Sequence, residues 1–153
     1  MDMHGYKKII TKSKIKGMNM KVLSLTEPCA TLIKEKKKLV ETRSWKTSYR
    51  GELYIHASST KIPKEWKNNI EFMKLVENIP LNFGNIICKC NLVDCIYMTK
   101  EYVESMKKNN YQEYICGIYE EGRYAWILKD IEPLINVIKA KGHLGIWNYE
   151  NNF

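Results

Sequence analysis

Short β-rich runs and short helical runs follow one another along this chain at uneven spacing, and that pattern constrains its fold more than any other feature. Lys21–Leu25 alternates weakly, Leu39–Trp45 is β-branched and ends in an aromatic residue, and Glu52–Ala57 behind Gly51 alternates cleanly. Asn85–Met98 is long and β-rich, Arg123–Leu128 alternates again, and Leu144–Tyr149 reads as a last short strand. Helical stretches fall between them. Thr26, Glu27 and Pro28 suit a helix entry, after which Cys29, Leu32 and Ile33 form one apolar face. A second helix follows Pro63, with Trp66, Ile70, Met73 and Val76 on a shared face. Thr99 caps a third through Met106, Tyr111–Gly117 forms a further helical turn, and Glu120-Glu121-Gly122 forms a turn. The regular βαβ repeat of a doubly wound sheet is missing, so a mixed sheet or barrel of the α+β class is expected.

At 153 residues, 44% hydrophobic, the chain suits one domain with its own core. No apolar run approaches the 18 residues of a membrane-spanning helix, and no apolar signal segment stands near the start. The five cysteines are odd in number and contain no C-x-x-C. A reduced, cytoplasmic setting follows as the expectation. Cys88 and Cys90 lie in an apolar strand run and read as core rather than as metal ligands, so no metal or other cofactor is assigned. Gly142-x-x-Gly145 lacks the remainder of any nucleotide-binding glycine loop.

The formal charge of +8 is unevenly placed. Residues 1–19 hold five lysines against Asp2, a basic leader of +4 with no sustained period, and a natural start near Met20 is one reading of it. The body, residues 20–153, carries the other +4. Within it, residues 34–50 hold seven bases and two acids, so this one stretch supplies all of the body's positive charge. A polyanionic partner is the natural reading.

That stretch contains the most informative side chains. Glu41 and Arg43 share a strand face with Leu39 and Trp45, where an unpaired charge is costly. They form either a structural ion pair or an anion site in which the Arg fork meets phosphate or carboxylate. Lys38 faces the other way on a regular strand unless a bulge or the strand end re-aims it. His56 shares a face with Tyr54 and Glu52, and a lone histidine there is more often structural than a general base. His143 reads as a loop residue. Trp45, Tyr49, Trp126 and Trp147 are aromatic enough to stack on bases, although tryptophan in strands is usually core.

Lys38-x-x-Glu41-x-Arg43 resembles the G-x-K-x-x-E-x-R signature of ASCH domains, members of the PUA-like superfamily. Leu23–Pro28, Glu41–Trp45 with Tyr49-Arg50-Gly51, Ile55–Ser58, Leu92–Cys95, Tyr124–Trp126 and Gly145–Asn148 resemble the family's further blocks, in order. The resemblance implies a small mixed or antiparallel β-barrel with flanking helices and a basic cleft that binds RNA or a nucleotide-like ligand. Lys38, Glu41, Arg43, Trp45, Arg50, His56 and Trp126 are the ligand-binding candidates it suggests. Two positions depart from the pattern: Lys36 replaces the signature glycine, and Cys29 stands where an aromatic residue often follows the proline. Some small ASCH-like proteins hydrolyse an acylated cytidine and carry threonine at the place of Glu41. A carboxylate cannot serve as that activated hydroxyl, so their chemistry is not carried over. Two alternatives stay open: a hydrolase of modified nucleosides or RNA, with Lys38 polarising an oxygen and Glu41 as general base, and a module that meets an acidic protein partner.

Overall fold

The computed structural model describes residues 19–150. The basic leader before Asn19 lies outside the described residues. Six strands, β1 (Asn19–Leu25), β2 (Val40–Arg43), β3 (Gly51–Ala57), β4 (Asn85–Tyr97), β5 (Tyr124–Lys139) and β6 (Ile146–Glu150), form one sheet in the order β2-β5-β4-β3-β1-β6. Among the described residues only β1 and β3 are parallel; the other four pairings are antiparallel. The sheet curls into a half-barrel. Three register shifts in the β4–β5 ladder interrupt these long strands, the local bending that such closure needs.

The concave side holds the main core, in which Leu23 and Leu25, Leu53 and Ile55, Ile87 and Trp126 pack with Ile33 of helix α1 (Cys29–Lys34). Each such aliphatic residue stabilises the fold by roughly 1.5–3 kcal/mol relative to exposure. Met20, Val22, Ile86 and Trp147 form a second cluster through the opposite face of β1. α1 ends in a hydrogen-bonded cap in which the Lys37 amide donates to Leu32 O and the Lys36 amide to Ile33 O. This geometry requires Lys36 to adopt a left-handed φ of 61°. The resemblance placed a glycine here, and the backbone shows why.

Several boundaries differ from expectation. The helix after Pro63 is two, α2 (Lys64–Lys67) and α3 (Ile70–Lys74), because the Asn69 side chain accepts the Phe72 amide and starts a new helix. The phase change leaves Ile70 83% exposed and buries Phe72 instead. β2 is shorter than 39–45. β5 runs eleven residues past Leu128, to Lys139, through Asp130 at φ 55° and Pro133. The last strand begins at Ile146 and leaves Leu144 exposed. Helices α4 (Lys100–Asn109), capped by the Thr99 hydroxyl, and α5 (Tyr111–Ile115) complete the elements of the described residues.

Candidate functional site

A cleft of about 440 Å³ opens beside the N-terminal end of α1 and the end of β2. Lys38, Glu41, Arg43 and Trp45 line it, together with Trp66 and Asn69 from the α2–α3 unit and Arg123 just before β5. Sequence patterning made the first four candidates. It missed Trp66, which pattern assigned to a helix core, and Arg123, whose place depends on the turn that precedes β5.

The charged residues form one linked group. β2 begins at Val40, so Lys38 lies before the strand and its side chain is free to turn inward, as a strand end allows. It is fully buried. Its Nζ donates to Cys116 O at 2.6 Å and lies 3.5 Å from Glu41 Oε1. The second carboxylate oxygen of Glu41 accepts from Arg43 Nε and faces Arg43 Nη2, both at 3.1 Å. Arg43 also donates to Ser24 O at 3.1 Å. One carboxylate thus sits between two cations, and these three side chains together carry one net positive charge. Glu113 backs it from behind: it is buried, its Oε1 accepts the Leu39 amide at 2.7 Å, and its Oε2 has no partner. Burial raises the Glu113 pKa against the pull of Lys38.

Burial works against the Lys38 ammonium, but Glu41 and the acidic groups around it more than offset this, and its pKa is raised. Burial pushes the Cys29 thiol up to about 12 and Cys116 up to about 11, in both cases against Lys38. Burial thus favours the neutral thiol at both cysteines.

The aromatic candidates divide. Trp45 is 40% exposed and lines the cleft. Trp126, opposite Glu41 in the β2–β5 register, is fully buried. It donates from Nε1 to Trp45 O, packs edge-on against Trp45 with ring centroids 4.7 Å apart, and lies 6.0 Å beneath the Arg43 guanidinium. Trp126 is thus a support for the wall, not its surface. Arg50 donates to the carbonyls of Thr47 and Tyr49 and faces Asp94 at 3.8 Å, outside the cleft lining. His56 also stands elsewhere, on the convex side of β3. Its Nε2 donates to Ala140 O at 2.7 Å, which leaves Nδ1 to accept from Ser24 Oγ at 2.9 Å.

The ASCH domain family model matches residues 23–137, well over half of the chain. This chain belongs to the ASCH domain family. Activating signal cointegrator 1 from Mus musculus and from Homo sapiens are each 26% identical to it over 132 residues. The match takes in 84% of this chain but 22% of either relative, so the chain spans a small part of their length. Among solved structures, ASCH from Zymomonas mobilis aligns with a TM-score of 0.49 and 19% identity, covering 78% of this chain and 73% of that one. A point mutant of the same protein aligns with a TM-score of 0.48 and the same identity, covering 80% and 76%. In this ASCH chain the signature side chains Lys38, Glu41 and Arg43 are the linked charges at the floor of the cleft.

Proposed function

We propose that this cleft binds RNA, with Arg43 and Arg123 meeting phosphate or a polar base edge and Trp45 and Trp66 offering aromatic surface to a base. One observation carries the reading. The signature's Lys38, Glu41 and Arg43 converge on a single cavity with a surplus positive charge and tryptophan in its walls. A volume of about 440 Å³ suits one or two unpaired nucleotides rather than a duplex. Family membership supports the same reading, since ASCH domains are linked to RNA binding. Lys38 is fully buried and engaged by Cys116 O, so its part is to hold Glu41 and shape the local field.

The geometry favours binding over hydrolysis. Both Glu41 oxygens are engaged by cations, which leaves neither free to position an attacking water. Lys38 Nζ is fully buried and held by Cys116 O and Glu41, which disfavours its reaching a substrate oxygen to polarise it. The test is a titration of a labelled ten-nucleotide RNA of random sequence across a range of salt concentrations. Log affinity is expected to fall linearly with log salt, by roughly 0.7 per phosphate contact for a single strand. A folded protein that shows no binding at low salt would refute the proposal.

A further inference from the structure

We propose that the RNA site extends beyond the cleft along a track of tyrosines that takes the adjoining unpaired nucleotides. The inference rests on reading the cleft as an RNA site and adds a second, separate contact surface to it.

The sheet register lays out the track. Arg43 of β2 is directly opposite Tyr124 of β5, and Tyr124 is directly opposite Tyr97 of β4. Directly opposed residues of neighbouring strands project from the same face, so Arg43, Tyr124 and Tyr97 form one row across three strands. Arg43 lines the cleft, which makes this row a continuation of it. Tyr124 is half-buried and anchored against the main core. Tyr97 is 50% exposed and packs on Tyr124 with ring centroids 5.6 Å apart at 76°. A large ring left half in solvent at the end of such a row gains little for folding. It does offer an aromatic surface of the kind on which unpaired bases stack.

Charge specifies the occupant. Arg43 and Arg123 stand at the cleft end of the row, where a polyanion leaving the cleft passes. Glu120 and Glu121 lie exposed in the segment before β5. The arrangement suits a single strand, because paired bases do not present their faces to a protein surface.

The experiment compares two random-sequence RNA probes, a labelled dinucleotide that fills only the cleft and a labelled decanucleotide, on wild type, Tyr97→Ala, Tyr97→Phe and Arg43→Gln. Tyr97→Ala is expected to weaken the decanucleotide about tenfold and leave the dinucleotide unchanged, while Tyr97→Phe restores decanucleotide binding. Arg43→Gln should weaken both probes. If Tyr97→Ala binds the decanucleotide as wild type does while Arg43→Gln weakens it, the track is wrong and the cleft stands. If wild type binds neither probe, cleft and track fall together.

Discussion

Two polar networks meet at Ser24, and they differ in what each leaves over. On the convex side, Trp147 Nε1 donates to Ser24 Oγ, which donates to His56 Nδ1, whose Nε2 donates to Ala140 O. Every donor there has an acceptor, and Gly142 lies so close that a methyl group on it would fall 2.9 Å from Ser24 Oγ. On the cleft side, the Ser24 carbonyl accepts from Arg43, behind which stand Glu41 and Lys38. That network carries net charge and borders an open cavity. Both contain buried titratable groups in strands or at their ends, yet of the two only the second lines the cleft. A buried polar residue is a functional candidate when its network is unfinished and faces space, and a structural one when its network closes.

Glu41→Gln should break the open network most severely. It strips the shared counter-ion from Lys38 and Arg43, whose pairings with Glu41 are largely shielded from water. A loss of about 3 kcal/mol in chemical denaturation is expected. Gly142→Ala attacks the closed network instead. The new methyl would meet Ser24 Oγ and the His56 ring at 2.9–3.0 Å, with a cost of about 2 kcal/mol and RNA affinity unchanged when measured on folded protein. Lys36→Gly touches neither network. It relieves a left-handed residue at the end of α1 and should stabilise the protein by about 1 kcal/mol.

The closed network also sets a pH dependence. Burial lowers the His56 pKa below its ordinary value near 6.5, against the pull of its bond to Ala140 O. The unfolded chain therefore takes up a proton at that site before the folded one does. Stability should fall as pH drops from about 6.5 through the folded-state pKa. Comparing denaturation midpoints at pH 7.5 and 5.5 tests this, and His56→Gln should flatten the difference.

Much of the fold was legible because alternation and turn residues are local signals. β3 came out at its expected bounds, and Thr99 capped its helix as read. The Asn68-Asn69 break was hidden because an asparagine cap competes with a continuous helical face that looks intact by period alone. The extension of β5 was hidden because Asp130 and Pro133 are residues that usually end strands. Here Asp130 takes a left-handed turn and accepts from the Asn91 side chain, and pairing resumes beyond it. Within the site, the K-x-x-E-x-R spacing located the charged floor. It could not place Trp66 or Arg123, which come from elements distant in sequence. Nor could it separate Trp45 from Trp126, since exposure of one over the other is decided by the packing of β2 on β5.

The cleft network, and not the His56 network, is proposed to recognise RNA. The most direct measurement compares Arg43→Gln with His56→Gln in binding the decanucleotide at one moderate salt concentration, with folding of each variant checked first. At least a tenfold loss for Arg43→Gln, with His56→Gln within twofold of wild type, is the predicted result. Equal losses for the two variants, or wild-type affinity for Arg43→Gln, would contradict it.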